Sequence, residues 1–349
     1  LLGWGPSLCR GAPQAQVKPE VHVGRSPAKL ARMRAVRIEA PGRVETIDLP
    51  EPEPGPGEVS VRVVASAICA TDRRLASLGT PVPRIPGHEV AGTLEDGTAV
   101  GVQPNVGCGR CASCAQGLEN RCPDHVDIGI QRDGGLAEWI VVPESHLVPL
   151  DGFPPDLAPS IEPLACCLHA VEMLDVGSDE PAVVVGAGTL GVIGMWALQA
   201  AGARVAIVQR SEARRRLAAE LGADVVLEPG ADVEAALGPL PGAALVTAPG
   251  VEALSWAIDH VDVGGRVHAF AGTPGGAPVD ANIVHYRHLR LVGSTGSTLA
   301  DYRRARDIAR SGSIPLERLP SRAITLEDVP QVLLDPHPDP RTLRFVARP

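Results

Sequence analysis

The sequence predicts an α/β protein of two domains, a β-rich first domain and a second domain built on a doubly wound parallel sheet. Three observations carry that expectation. At 349 residues the chain exceeds the size at which a single core stops growing, and 44% apolar residues are enough to fill two. The early part alternates apolar and polar residues in the two-residue period of half-buried strands. After about residue 156 the pattern switches to short Val-rich runs separated by longer helical stretches, the signature of βαβ units.

Taken in order, residues 1–32 hold four prolines and one acidic residue and read as a disordered leader or extension, with Met33 as the natural start. Alternation begins at Ala35-Val36-Arg37-Ile38, pauses in a proline-rich turn over 50–57 and resumes over 59–64. A cysteine and glycine loop over 106–122 follows, then a strand over 139–142. In the second part, strands are expected at 182–185, 204–208, 244–247 and 266–270, with helices at 190–201, 212–221 and 251–261. A helix over 299–311 and a strand over 343–346 return the chain to the first domain. The expected domains are therefore 33–163 with 294–349, and 164–293.

A formal net charge of -9 leaves no broad basic surface for a phosphate backbone or an anionic lipid, which argues against nucleic acid and membrane partners. Residues 182–203 are uncharged and long enough to span a bilayer, but Gly186, Gly188, Gly191, Gly194 and Gly202 divide them into a buried strand, a turn and a buried helix.

That same stretch carries the first candidate site. Val183-Val184-Val185 runs into Gly186-Ala187-Gly188-Thr189-Leu190-Gly191, a G-x-G-x-x-G pattern in the required context of strand, turn and helix. Gly186 permits the tight turn, Gly188 lets backbone approach a pyrophosphate, and Gly191 lets the helix pack on the strand. Thr189 and Leu190 open the helix whose unpaired N–H groups face the anion. The pattern reads as the dinucleotide site of a Rossmann domain, the plainer reading being a glycine-softened turn from strand to helix with no ligand. An acid at the end of the next strand would bind the 2′-OH of NAD, yet the chain has Val208-Gln209-Arg210-Ser211 there. Gln209, Arg210, Arg214 and Arg215 are the candidate ribose and phosphate contacts, which points to NADP with NAD as the other admissible dinucleotide. A solvated helix face is the plainer reading of the arginines.

Cys108, Cys111, Cys114 and Cys122 form C-x2-C-x2-C-x7-C, four thiolates able to surround a tetrahedral zinc without distant segments. Closed coordination leaves no place for substrate, so the site reads as structural. Disulfides suit an oxidising compartment, and a nucleic-acid-binding zinc knuckle is disfavoured by the acidic charge and the lack of interleaved aromatics. Elsewhere stand Cys69, the pair His88 and Glu89, and Glu162. Each alone is bland. Together, one thiolate, one imidazole and one or two carboxylates are a candidate open zinc site, which spacing alone does not establish.

In their order, Ile68-Cys69-Ala70-Thr71-Asp72, Gly87-His88-Glu89, the four-cysteine loop, Ile161-Glu162-Pro163-Leu164 and the glycine motif resemble the zinc-dependent medium-chain alcohol dehydrogenases. The resemblance runs from about Met33 to the C-terminus and is strongest to the sorbitol and glucose dehydrogenase branch, which carries Gly-His-Glu and Glu-Pro-Leu at these points. It implies a GroES-like first domain, with a catalytic zinc on Cys69, His88 and either Glu89 or Glu162, the other carboxylate standing near the exchanging water. It also implies that Asp72 orients His88 through its second ring nitrogen and that Thr71 bonds the substrate hydroxyl and begins a proton relay. Activity would be hydride transfer between NAD(P) and a secondary alcohol, polyol, sugar or cyclitol carbon, in a cleft between the domains. Two Zn2+ per chain, a small alcohol or carbonyl substrate, a cytoplasmic setting and a homodimer or homotetramer complete the expectation. The alternative is a non-catalytic NADPH-binding protein on the same fold, against which the intact Cys69, His88 and Glu162 speak.

Three departures from the family stand out. Arg73 and Arg74 occupy the place where some relatives carry a relay histidine, the loop over 93–99 is short, and Gln209 replaces the acid. His125, His146, His169, His260, His268, His285 and His288 read as structural or surface residues, and Cys166 and Cys167 as buried helix residues.

Overall fold

The computed structural model describes residues 31–335 and 339–349. The leader expected over 1–32 falls outside them except for its last two residues, and Arg32 already opens a strand. That strand, β1 (Arg32–Ala40), pairs antiparallel with β2 (Arg43–Pro50). The first part continues through β3 (Glu58–Ala67), α1 (Ala70–Leu78), β4 (Glu89–Thr93), β5 (Ala99–Val102), β6 (Asn105–Val106), the short α2 (Ala112–Ala115), β7 (Val126–Asp127), β8 (Trp139–Pro143) and β9 (Leu147–Pro149). β3 is the hub, pairing with β4 and β8, and its alternating Val61, Val63 and Ala65 point into the core. The short loop noted in the sequence is a tight hairpin between β4 and β5, closed by Leu94 N–H donating to the Thr98 carbonyl at 2.9 Å.

After α3 (Ile161–Leu174) the chain alternates β10 (Pro181–Val185), α4 (Thr189–Ala200), β11 (Arg204–Val208), α5 (Glu212–Glu220), β12 (Val225–Leu227), α6 (Val233–Leu237), β13 (Ala243–Val246), α7 (Val251–His260), β14 (Arg266–Ala269), α8 (Ala281–Tyr286) and β15 (Arg290–Val292). The six strands form one parallel sheet in the order β12-β11-β10-β13-β14-β15. Their Val, Ile and Ala runs are buried on both faces, as a parallel sheet covered by helices requires. Val184, Val205, Ile207 and Leu245 pack on the side of α3, α4 and α5; Val183, Val185, Val208 and Val246 pack on the side of α6, α7 and α8. The strand order reverses between β10 and β13, which opens a crevice beyond their carboxyl ends. The uncharged 182–203 run is β10 and α4, and among the described residues no helix is long and apolar enough to cross a membrane.

The remaining chain binds the two parts together. α9 (Leu299–Ser311) starts in a capping box of Thr298 and Asp301, and its Tyr302, Ala305 and Ala309 share one large core with Leu164, Leu168 and Val171 of α3. α9 packs against α3, where the small Ala305 and Ala309 one turn apart let two helices approach closely. β16 (Ser321–Ile324), α10 (Val329–Leu334) and β17 (Arg344–Ala347) follow. β17 pairs antiparallel with the end of β3, Val346 opposite Ala67, so the C-terminal strand lies beside the segment that leads into Cys69.

Candidate metal centres and dinucleotide site

Cys69 caps the N-terminus of α1, and Asp72 closes the cap by accepting the Cys69 N–H at 2.8 Å. The other Asp72 oxygen accepts the Gly87 N–H at 3.1 Å and lies 3.4 Å from His88 Nδ1. One fully buried carboxylate therefore joins the start of α1 to Gly87-His88-Glu89. Gly87 is required at its place: its φ is +101°, and a Cβ would lie 2.8 Å from the Leu136 nitrogen and 2.9 Å from Ser66 Oγ. The consequence is convergence. The Cys69 sulfur, a His88 ring nitrogen and a Glu89 oxygen all lie within 4.8 Å of one another.

Glu89, at the start of β4, is ion-paired with Arg344 of β17, and both are buried. Glu162, at the start of α3, stands outside the mutually close trio and accepts a hydrogen bond from Cys166 Sγ at 3.2 Å. Burial raises the Glu162 carboxyl to about 7. Burial likewise pushes the Cys69 thiol up, with His88 working against it. Burial lowers His88, but Asp72 and Cys69 outweigh it and lift the imidazole well above its ordinary range. A thiol and an imidazole held this close suit a cation that displaces their protons. One sulfur, one nitrogen and one oxygen within reach of a single ion are a donor set that fits zinc. Thr71 is half-buried in the first turn of α1. Arg73 donates to the Asp335 carbonyl at 3.2 Å and lies 5.7 Å from the centre of the Phe345 ring, so it braces the C-terminal segment.

The four cysteines of the 108–122 loop also lie within 4.8 Å of one another. Four sulfurs about one tetrahedral zinc stand roughly 3.8 Å apart, so a small contraction completes the site. The loop backbone already serves the sulfurs: Cys108 N–H donates to Cys122 Sγ at 3.3 Å and Cys114 N–H to Cys111 Sγ at 3.4 Å. Backbone N–H groups of Arg110 and Cys111 help draw Cys108 down to about 7, whereas loss of hydration pushes Cys114 up to about 12. The seven described cysteines form no disulfide.

At the glycine turn, Gly186 has φ +113°, and a Cβ would press on Thr247 Oγ1 at 2.9 Å. A Cβ on Gly191 would collide with the Gly186 carbonyl. Gly188, the N-cap of α4, is different: a Cβ there meets nothing within 4 Å, leaving room for an anion before the helix N–H groups. Thr189 Oγ1 donates to the Leu343 carbonyl at 2.7 Å, and the Leu190 carbonyl accepts Cys167 Sγ at 3.6 Å. Gln209, the residue after β11, accepts the Ser211 N–H on its side-chain oxygen at 3.1 Å. Arg210 is exposed and its guanidinium has no partner among the described residues. Arg214 reaches back to the Ala187 and Thr342 carbonyls at 3.5 and 3.4 Å. Arg215 is committed elsewhere, donating to the Gln209 and Arg210 carbonyls at 2.9 and 2.6 Å.

The strand expected over 343–346 is present as β17, but the contacts of this C-terminal strap with both candidate sites were not legible in the sequence. Three consecutive residues serve both sites: Thr342 accepts from Arg214, Leu343 from Thr189, and Arg344 pairs with Glu89. The one available signal was an arginine inside an otherwise apolar strand, since a charge at such a position is buried only when paired.

Comparison with known proteins agrees with this geometry. The alcohol dehydrogenase GroES-like domain family matches residues 55–152 and the zinc-binding dehydrogenase family residues 189–311. The chain is 31% identical to the L-threonine 3-dehydrogenase of Rhizobium etli (strain CIAT 652) over 274 residues, 71% of this chain and 79% of that one. It is 35% identical to the D-altritol 5-dehydrogenase of Agrobacterium fabrum over 208 residues, 54% of this chain and 62% of that one. Among solved structures, a zinc-binding dehydrogenase from Sinorhizobium meliloti 1021 bound to NADP superposes with a TM-score of 0.85 at 32% identity, covering 91% of this chain and 100% of that one.

Proposed function

Because the chain belongs to the zinc-dependent medium-chain alcohol and polyol dehydrogenases, we propose that it passes hydride between NADP(H) and a secondary alcohol, polyol, sugar or cyclitol carbon, using two zinc ions per chain. The observation that carries this reading is the convergence of Cys69, His88 and Glu89 within 4.8 Å, braced through Arg344 by a strap that also touches the glycine turn. Cys69, His88 and Glu89 hold the catalytic zinc, and Glu162 stands near the exchanging water. Asp72 orients His88, and Thr71 bonds the substrate hydroxyl. Bound zinc supplies a Lewis acid that lowers the alcohol pKa or polarises the carbonyl, while the nicotinamide takes or gives hydride. Cys108, Cys111, Cys114 and Cys122 hold the structural zinc. In this reading 33–163 and 294–349 form the catalytic part and 164–293 the dinucleotide-binding part. The relatives named for L-threonine and D-altritol support a small hydroxyl-bearing substrate.

The preference for NADP rests on Gln209, which is neutral where a carboxylate would repel a 2′-phosphate, and on the free Arg210 beside the half-buried Arg214. A charge-assisted contact of this kind is worth about ten- to a hundredfold in cofactor selectivity. Catalytic efficiency with both dinucleotides, over a panel of polyols, sugars, aminocyclitols and secondary alcohols, tests the whole reading. Arg210→Ala should erode NADP use selectively. A clear NAD preference in the parent overturns the cofactor assignment, and tight NADPH binding without turnover of any substrate favours the non-catalytic alternative.

We also assign a homodimer, or a tetramer of such dimers, through the open edge of β15, where Leu291 is 38% and nearby Tyr286 74% exposed. Sedimentation checks it. A reducing, cytoplasmic compartment suits a chain whose function needs free thiolates.

A further inference from the structure

The four-cysteine loop reaches beyond its own sulfurs. Between Cys114 and Cys122 it carries Glu119 and Asn120, and both extend to residues 294–299, the segment that leaves the carboxyl end of β15. The buried Asn120 donates to the Thr295 carbonyl at 3.3 Å and meets His169 Nε2 at 3.4 Å. The Glu119 carboxylate accepts the Leu299 N–H. From the neighbouring β5 to β6 stretch, Gln103 donates to the Ser297 carbonyl at 2.7 Å, and Asn105 Oδ1 accepts the Ser297 N–H at 3.0 Å. On the opposite side His268 Nε2 faces Ser294 Oγ at 3.1 Å, and His169 Nδ1 pairs with Asp301 at 3.0 Å. The segment is thus pinned at residues 294, 295, 297 and 299, mostly by side chains of the first part.

The position of this segment gives the clasp its consequence. The glycine turn sits between β10 and α4, and Gln209, the residue after β11, marks the adenosine side. In the sheet order β12-β11-β10-β13-β14-β15, the other half of a dinucleotide must then run over the ends of β13 and β14, toward residues 294–298. Asn120 Oδ1 and His268 Nδ1 are buried there without hydrogen-bond partners, so the network has polar capacity left over.

We propose that Asn120 and Glu119 are positioning residues through which the four-cysteine lobe holds the 294–298 segment and so sets the affinity for the nicotinamide half of the cofactor. The proposal rests on the dehydrogenase reading above. The test is binding, by fluorescence or calorimetric titration, of NADPH and of 2′-phospho-ADP-ribose, which lacks the nicotinamide, with zinc content measured alongside. Asn120→Leu and Glu119→Ala should weaken NADPH about three- to tenfold, the worth of one buried hydrogen bond, and leave 2′-phospho-ADP-ribose and zinc content as in the parent. Glu119→Gln, which keeps the acceptor, should restore parental binding, and the exposed Arg121→Ala in the same lobe should match the parent. Should Asn120→Leu fail to fold, the Glu119→Ala and Glu119→Gln pair decides alone. Unchanged NADPH affinity, or equal weakening of both ligands, overturns the proposal. A parent chain that binds neither of these ligands nor NADH overturns the dehydrogenase reading itself.

Discussion

The two clusters of side chains able to hold a metal ion are built in opposite ways. The four cysteines fall within residues 108–122, on a loop whose own N–H groups serve the sulfurs. The other cluster draws Cys69 from the start of α1 and His88 and Glu89 from the start of β4, and is braced by Arg344, which is 255 residues from Glu89. Closing a short loop costs little entropy and needs few distant contacts, so the first site is nearly autonomous. The second exists only when β3, β4 and β17 have paired. A local four-sulfur site suits stability, and a mixed-donor site assembled from distant segments suits chemistry.

The sharpest way to break this division is Cys69→Ser. Turnover should fall by about a thousandfold or more, since the Lewis acid is worth several kcal/mol. NADPH affinity, measured by titration, should stay within about twofold, because the glycine turn belongs to the other sheet. Equal loss of both would mean the two sites are one cooperative unit.

Cys111→Ser should do the reverse. On the proposed two-zinc reading, one zinc should be lost, urea unfolding should show a deficit of several kcal/mol, and the other zinc should be retained. Simultaneous loss of both metals on this substitution would contradict the autonomy of the loop.

Arg344→Leu tests the brace. It leaves Glu89 buried without its partner, which should destabilise the zinc-free protein by about 3–5 kcal/mol. Adding zinc should recover part of that loss, because the cation replaces the guanidinium as the charge facing Glu89. A deficit that zinc does not alter would remove Glu89 from the metal site.

The smallest effect lies where the cysteine lobe meets the parallel sheet. Burial, then the nearby His169, holds His268 at about 4, below its ordinary 6.5. As pH falls below 6.5 the unfolded chain takes up this proton first, while the folded chain waits until about 4. The stability tied to neutral His268 is therefore complete above pH 6.5 and drains away down to about 4, by at most roughly 3 kcal/mol. His268→Gln should flatten that part of the stability curve; a slope identical to the parent's would show that His268 takes up its proton equally in both states.

The same contrast explains what could be read early. The strand, turn and helix around Gly186, Gly188 and Gly191 were legible because their neighbours in space are neighbours in sequence, and the same holds for Cys108, Cys111, Cys114 and Cys122. The short β4 and β5 escaped notice because four or five residues with a glycine among them show no clear alternation. Cys69, His88, Glu89 and Glu162 could be named as a set, but their arrangement could not be derived.

The sequence by itself determined the architecture of two parts, the doubly wound sheet, the dinucleotide turn and the sulfur loop, since each is written in local spacing and period. Only the tertiary structure brought Glu89 rather than Glu162 into the close trio, buried Arg344 beside it, committed Arg215 to the backbone while leaving Arg210 free, and set α9 on α3. Periodicity states which face of an element turns inward; which side chains meet there depends on how distant strands pair, and that is decided only when the whole chain closes.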